Sequence, residues 1–204
     1  MSTTPAGADP VPEIPDEPVH EATSPAAAPA VDEADVARRR RRLTTWAFAL
    51  AATVLVVDQL TKWWALSALT VGERIDLLGD LLGLTLVFND GAALSIGSGG
   101  YTWALTIVVV AVVVVIVRAM RRIGSRGWAV ALGLLLGGAL GNLVDRFFRE
   151  PGFARGEVVD MIAYANFFVG NVADVAIVVA AGMIIVLSFR GIGLDGTRQA
   201  EDES

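Results

Sequence analysis

Four long apolar runs constrain this chain more than any other feature of its sequence. They cover residues 43–66, 101–117, 128–147 and 171–189, and 54% of the 204 residues are hydrophobic. A helix rises about 1.5 Å per residue, so a run of about 20 residues crosses the ~30 Å hydrocarbon core of a bilayer. The runs therefore predict an all-α membrane protein with four transmembrane helices.

The two ends of the chain differ in composition from this membrane region. Residues 1–37 hold seven of the eight prolines and eight carboxylates. Such a segment buries too little apolar surface to offset its chain entropy, so it is predicted to be a disordered tail. Residues 191–204 are also polar and predict a second, loose tail. Residues 38–190 remain as the membrane domain.

Two arginine clusters predict how the chain crosses the membrane. Arg38 to Arg42 precede the first span, and the link 118–127 between the second and third spans holds four more arginines. Cytoplasmic segments carry such an excess, so both termini and this link are expected in the cytoplasm. The connections 67–100 and 148–170 then lie outside. A solvated or lipid-binding patch is the alternative interpretation, but the second cluster, two spans later, favours the topological one.

The first outer connection predicts a small extracytoplasmic β element. The segment "LTLVF" (84–88), followed by "NDG", is typical of a short strand that ends in a tight turn. In the third span, Gly133, Gly137 and Gly141 recur every four residues. This spacing permits close packing of helices.

Five separated segments bring polar side chains to the outer ends of the spans. They are Asp58 and Lys62 in the first span, Asn89 in the first outer connection, Asn142, Asp145 and Arg146 at the end of the third span, Asp160 in the second outer connection, and Asn171 with Asp174 at the start of the fourth span. An ionised carboxylate is costly at membrane depth, so acids in such positions are functional candidates.

Several of these residues also have a structural interpretation. Asp58 and Lys62 are four residues apart, which suits an ion pair on one helix face. Asp145, beside Arg146, could cap the helix end and anchor it at the headgroups. Asn171 could be the N-cap of the fourth span. From the residues alone, these alternatives stay open.

The residue types that are absent narrow the chemistry. There is no cysteine, and the one histidine, His20, lies in the N-terminal tail, which excludes Ser-His-Asp, Cys-His and histidine-zinc sites. The segment "GSGG" (97–100) has no following Lys-Ser/Thr, so it is not a phosphate-binding loop. Aspartates remain for acid–base work. Two aspartates close together in a low-dielectric site share a proton, which suits peptide hydrolysis by an aspartic dyad.

Ordered blocks across residues 43–190 resemble the lipoprotein signal peptidases, also called signal peptidase II. The likeness is carried by "DQLTK" (58–62), "NDGAALS" (89–95), "GNLVDR" (141–146), "VVDMI" (158–162) and "NVADVAI" (171–177). Each block alone is a weak signal. Their order and spacing across four spans make the resemblance specific.

The resemblance implies an aspartic endopeptidase of the bacterial plasma membrane, with its active site at the extracytoplasmic interface. The substrates would be diacylglyceryl-modified prolipoproteins, cleaved before the lipidated cysteine. The reaction would need no metal or cofactor, and globomycin would inhibit it. The resemblance assigns the catalytic dyad to Asp160 and Asp174. It gives substrate-binding or supporting roles to Asp58, Lys62, Asn89, Gly91, Asn142, Asp145, Arg146 and Asn171, and it implies four helices with a small β-cradle.

Partners and departures from the family pattern complete the expectations. Prolipoproteins and membrane lipids are the expected partners, nucleic acid is not, and the chain is expected to be a monomer. Leu94, Met161 and Gly170 stand where the family commonly has phenylalanine. These changes remove aromatic bulk near the site, so we expect an altered pocket shape with the polar roles intact.

Two other classes of protein remain as alternatives. A small proton-coupled transporter would distribute acids along the depth of the bilayer, whereas here they gather on one side. A structural subunit of a larger complex would need neither Asp160 nor Asp174.

Overall fold

The computed structural model describes residues 33–91, 102–165 and 167–198. The predicted tail over residues 1–32, the last residues 199–204, Leu94 and the segment 97–100 lie outside this part of the chain. In chain order the described elements are α1 (Glu33–Ala68), β1 (Arg74–Leu78), β2 (Leu82–Asn89), α2 (Thr102–Met120), α3 (Arg126–Phe148), β3 (Val158–Tyr164), β4 (Phe168–Gly170) and α4 (Val172–Phe189).

The helices α1 to α4 are all long and apolar enough to cross a membrane, which confirms the four predicted spans. Helix α1 begins at Glu33, well before the apolar run at residue 43. Alanine and arginine favour helix over this stretch, and the acids Glu33 and Asp35 in the first turn are stabilised by the helix dipole. Residues 33–37 therefore belong to the helix and not to the predicted disordered tail.

Helix α3 is the central element of the bundle. Of its most apolar stretch, 56% is buried inside the protein, against 17% for each of the other helices. A Cβ atom on Gly133 or Gly137 would lie 2.8 Å or 2.7 Å from the backbone oxygens of Ala47 and Ala51 in α1. The predicted close helix packing at these glycines is therefore confirmed.

The strands form one antiparallel sheet in the order β1-β2-β3-β4. Strand β2 confirms the predicted strand in "LTLVF". Strand β3 comes from the connection between α3 and α4, and its pairing places Asp160 opposite Val87 of β2. The sheet is larger than the sequence predicted because it combines strands from both connections.

The segment after α4 is folded through residue 198, in contrast to the predicted loose tail. The N–H of Gly124 donates to the oxygen of Leu194 at 2.9 Å, and the Trp128 indole donates to the oxygen of Ile192 at 2.8 Å. The Leu194 side chain packs against the hydrophobic core between the helices. The polar composition of this segment did not predict these contacts, because the two hydrogen bonds are accepted by backbone oxygens, which every residue has.

Candidate active site

Asp160 and Asp174 come together where the sheet meets one end of the helix bundle. Asp160 lies on β3 and is only 2% exposed. Asp174 lies in the first turn of α4 and is half-buried. The register of β2 and β3 fixes the position of Asp160, while the start of α4 fixes that of Asp174.

Asn171 contacts both acids. It is the N-cap of α4, and its side-chain oxygen accepts the N–H of Asp174 at 3.0 Å. In return, Asp174 Oδ2 accepts the N–H of Asn171 at 3.1 Å, which completes a capping box. The Asn171 side-chain Nδ2 also donates to Asp160 Oδ1 at 2.7 Å. The predicted N-cap is confirmed, and the same residue bridges the two carboxylates.

Two more asparagines complete the hydrogen bonding of the pair. Asn89 Nδ2, at the end of β2, donates to Asp160 Oδ2 at 3.1 Å. Asn142 Nδ2, on α3, donates to Asp174 Oδ1 at 2.9 Å. Each of the four carboxylate oxygens therefore accepts one N–H, which fixes the orientation of both groups.

The surroundings of Asp160 change its acidity. Burial, and after it the neighbouring charge of Asp174, raise the pKa of this carboxyl, while the hydrogen bonds from Asn89 and Asn171 lower it; the net result is a rise from 3.8 to about 7. Desolvation penalises the charged form of an acid, as does a second carboxylate nearby. The site therefore retains a proton up to near-neutral pH.

A cluster of buried charges lies behind the two acids. Lys62 Nζ contacts Asp58 Oδ2 at 2.9 Å and Asp145 Oδ2 at 2.8 Å, and all three side chains are 0% exposed. Lys62 also donates to Asn142 Oδ1 at 3.0 Å, so its three donors are all used. The ion-pair interpretation of Asp58 and Lys62 is confirmed.

This cluster holds the backbone beside each candidate acid. Asp58 Oδ1 accepts the N–H of Ala173 at 2.9 Å, and Asp145 Oδ2 accepts the N–H of Val159 at 3.2 Å. Ala173 directly precedes Asp174, and Val159 directly precedes Asp160. This buried cluster of Asp58, Lys62 and Asp145 therefore fixes the backbone positions of the two candidate acids. Its own side chains are not exposed to solvent.

Arg146 holds the chain that follows β2. Its guanidinium donates to the backbone oxygens of Asp90 and Gly156 at 3.3 Å each, and to that of Gly91. Arg146 is 5% exposed and Asp145 is 0% exposed. Their burial does not fit the alternative that they anchor the helix end at lipid headgroups.

A cavity of about 220 Å³ opens beside Asp160. It is lined by Asp160 together with Val87, Phe88, Asn89, Asp90, Phe167, Phe168 and Val169. A Cβ atom on Gly170 would lie 2.6 Å from Phe168 Cε1 and 2.9 Å from Asp174 Oδ2. The Phe168 ring therefore occupies the space beside Gly170, so the expected loss of aromatic bulk there is wrong. Met161 points elsewhere, into a small core cluster with Leu86.

The structure brings all ten predicted site residues together and adds three that sequence reasoning missed. Gln59 donates to Gly141 O at 3.0 Å and to Asp58, while Arg149 donates to Asp145 Oδ1 at 2.6 Å. Both residues could have been predicted from the sequence. Gln59 lies inside the block "DQLTK", and Arg149 follows Asp145 by one helical turn, a spacing that suits an ion pair. Phe168 had none, because its place depends on the pairing of β3 with β4.

The fold and the site define a multi-pass membrane protein with a hydrogen-bonded pair of carboxylates between a helix bundle and a small sheet. The family model described as Signal peptidase (SPase) II matches residues 50–190. The chain therefore belongs to the signal peptidase II family.

Individual relatives and solved structures agree with this assignment. The chain is 46% identical to the lipoprotein signal peptidase of Rhodococcus jostii (strain RHA1) over 168 residues, 82% of this chain and 83% of that protein. It is 45% identical to the one from Mycobacterium leprae (strain Br4923) over 175 residues, 85% and 86% of the two chains. A bacterial membrane enzyme solved by the in meso method at 2.3 Å resolution superposes with a TM-score of 0.62 at 27% identity, covering 78% of this chain and 93% of that one.

Proposed function

We propose that this chain is an aspartic endopeptidase that removes signal peptides from diacylglyceryl-modified prolipoproteins, cleaving before the lipidated cysteine. Membership of the signal peptidase II family supports the substrate class. The aspartic type of catalysis is supported by one observation, the contact of Asn171 with both Asp160 and Asp174. This single side chain links two carboxylates from different segments, which supports a site where one water molecule binds between them.

In the proposed mechanism the two acids share one proton in the resting state. Asp160 carries it, because Asp160 is the more deeply buried carboxyl and its pKa is raised to about 7. Asp174 takes a proton from the attacking water, and the water oxygen bonds to the scissile carbonyl carbon. Asp160 then gives its proton to the leaving amine as the C–N bond breaks. Transfer of the proton from Asp174 to Asp160 restores the starting state.

The proposed site lies on the extracytoplasmic side of the bacterial plasma membrane. Arg42 of α1 and Arg126 at the start of α3 line one groove, so the two arginine clusters share an end of the bundle. Positively charged ends face the cytoplasm, and Asp145 lies near the far end of α3, where Lys62 joins it to Asp58 of α1. Both termini are cytoplasmic in this topology.

Cleavage of a lipidated precursor by the purified chain tests the proposal. We expect the wild-type protein to release the signal peptide and globomycin to block the release. Asp160→Asn and Asp174→Asn each remove a carboxylate and should lower kcat by at least about 10³-fold, since general acid and base catalysis each contribute about 10²- to 10⁴-fold.

Asp80→Asn is the matched control, because Asp80 is an exposed acid at the edge of the sheet. This variant should cleave like the wild type. Wild-type turnover by either Asp160→Asn or Asp174→Asn would contradict the aspartic mechanism, provided that both variants elute as folded monodisperse protein in detergent. A proton-coupled transporter or a structural subunit would not cleave the precursor at all.

A further inference from the structure

Two adjoining grooves lie at the arginine-rich end of the bundle, away from the candidate active site. One has a volume of about 680 Å³ and lies between α1 and α3, where it is lined by Arg39, Arg42, Leu43, Trp46, Arg126 and Val130, among others. The other, of about 500 Å³, runs along α1 beside Arg38, Arg41, Thr45 and Ala49. Arg42 and Trp46 line both grooves, so the two spaces meet at these side chains.

The arginines of the larger groove form no ion pair within the described part of the chain. Within residues 33–91, 102–165 and 167–198, the ion pairs involve other basic groups, namely Arg38, Lys62, Arg74 and Arg149. Arg39, Arg42 and Arg126 therefore present three positive charges from two helices to the same space. A ligand that complements this groove carries negative charge at the arginine end.

The deeper walls of the grooves require an apolar part in the same ligand. Trp46 follows Arg42 by one helical turn, and Ala49 and Val130 lie further along their helices. Both helices are long and apolar enough to span a membrane, so these walls face acyl chains. Tryptophan is typical of the boundary between headgroups and hydrocarbon, which places the arginines at headgroup level.

We infer that the two grooves form a binding site for one anionic diacyl phospholipid. The phosphate lies among Arg39, Arg42 and Arg126, and one acyl chain lies on each side of Trp46. Basic pockets between transmembrane helices on the cytoplasmic side suit such headgroups. The bound lipid joins α1 to α3 at the end opposite Asp160, so this site is separate from the proposed catalysis and does not depend on it.

Fluorescence quenching of the full-length protein in detergent tests the site. The probes are phosphatidylglycerol and phosphatidylcholine, each with brominated acyl chains, and the contribution of Trp46 is the difference between the wild type and Trp46→Phe. We expect phosphatidylglycerol to quench Trp46 at a concentration about tenfold lower than phosphatidylcholine does, because three arginines attract its charge.

Two triple variants with the same loss of charge distinguish a built site from general attraction. Arg39→Gln/Arg42→Gln/Arg126→Gln should abolish the preference for phosphatidylglycerol. Arg118→Gln/Arg121→Gln/Arg122→Gln removes three arginines that line neither groove, and it should keep the preference within about twofold. Elution of both variants as monodisperse protein in detergent, with thermal midpoints close to that of the wild type, verifies that they are folded.

Three results would overturn the proposal. One is equal quenching of Trp46 by the two lipids, which would mean that the headgroup charge is not recognised. Another is an equal loss of preference in both triple variants, which would mean that net charge alone attracts the lipid. The third is quenching that Trp46→Phe leaves unchanged, which would mean that the lipid binds elsewhere.

Discussion

The carboxylate of Asp145 accepts the backbone N–H of Val159 at 3.2 Å, so a buried helix residue fixes the strand position just before Asp160. Asp58 does the same for Ala173, just before Asp174. Lys62 contacts both carboxylates. One ammonium group therefore connects the backbone positions of both candidate acids, and the geometry of the pair depends on a cluster that does not face the cavity.

Replacement of Lys62 by methionine should destabilise the protein strongly. The change leaves Asp58 and Asp145 buried without their shared cation, and breaking a buried ion pair in this way costs about 3–5 kcal/mol. We expect a large drop in the thermal midpoint of unfolding in detergent, followed by tryptophan fluorescence, and a loss of cleavage.

A compensated variant separates charge from packing in this cluster. Lys62→Met/Asp58→Asn removes the negative charge that is left without a cation, since Asp145 keeps its ion pair with Arg149 at 2.6 Å, and this variant should recover part of the lost midpoint. A wild-type midpoint in Lys62→Met alone would show that the cluster does not hold the fold together.

Gly141→Ala should disturb the same cluster by steric contact. A Cβ atom at this position would lie 2.5 Å from Asp58 Oδ2, and Asp58 is held on both sides by Lys62 and Ala173. Overpacking of this kind costs about 1–3 kcal/mol, so both the thermal midpoint and the cleavage rate should fall.

Gly182→Ala is the matched control for this substitution. Gly182 lies in α4, and nothing is within 4 Å of the Cβ atom that would be added. Alanine favours helix over glycine by up to about 1 kcal/mol, so this variant should be neutral or slightly stabilised. Equal midpoints for the two variants would contradict the steric argument.

The four spans were predictable because their signal is local, and the members of the site because five short blocks occur in a specific order along the chain. Apolar run length identifies a membrane helix, and the pairing of Asp58 with Lys62 follows from a spacing of four residues on one helix. The start of α1 at Glu33 was missed since hydropathy does not report the helix propensity of the polar turns that precede an apolar run.

The connections between site residues were not predictable because they depend on register. The contact of Asp145 with Val159 requires a particular alignment of β3 against α3, and the position of Phe168 beside Gly170 requires the pairing of β3 with β4. No local pattern encodes these alignments. The folded segment 191–198 was missed for a similar reason, since its hydrogen bonds to Gly124 and Trp128 and the packing of Leu194 join parts of the chain that are distant in sequence.

Substitutions of Asn171 should separate helix capping from bridging of the acids. Serine at this position can still cap α4 but lacks the Nδ2 group that donates to Asp160. We expect Asn171→Ser to keep the thermal midpoint within a few degrees and to lose up to about tenfold in kcat, because the hydrogen bond that orients Asp160 is lost and a typical hydrogen bond contributes about 0.5–1.5 kcal/mol.

Asn171→Ala should lose both functions. Removal of an N-cap costs about 0.5–2 kcal/mol, so the midpoint should fall as well as kcat. A fully active Asn171→Ser would show that the bridge to Asp160 does not contribute to catalysis. Thermal unfolding and initial rates of precursor cleavage check both variants.

The pH dependence of cleavage should report the shared proton. Since the pKa of Asp160 is raised to about 7, this carboxyl is protonated below that pH and loses its proton above it. The general acid is then absent, so kcat/KM should fall as the pH rises through about 7. The hydrogen bond from Asn89 lowers the pKa of Asp160, so Asn89→Ala should move this decline to higher pH. If the wild type and Asn89→Ala had the same pH profile, the assigned effect of the Asn89 hydrogen bond on Asp160 would be contradicted.

The stability of the protein should fall with rising pH over the same range. The folded-state pKa of Asp160, about 7, lies above the value of 3.8 that applies to the unfolded chain, so the folded state binds more protons between these pH values. The stabilisation is complete below pH 3.8 and is lost as the pH rises through about 7. The thermal midpoint of the wild type should therefore decline from pH 4 to pH 8 more steeply than that of Asp160→Asn, which has no proton to lose at this position. Parallel declines in the two proteins would mean that Asp160 ionises in the folded state as readily as it does in the unfolded chain.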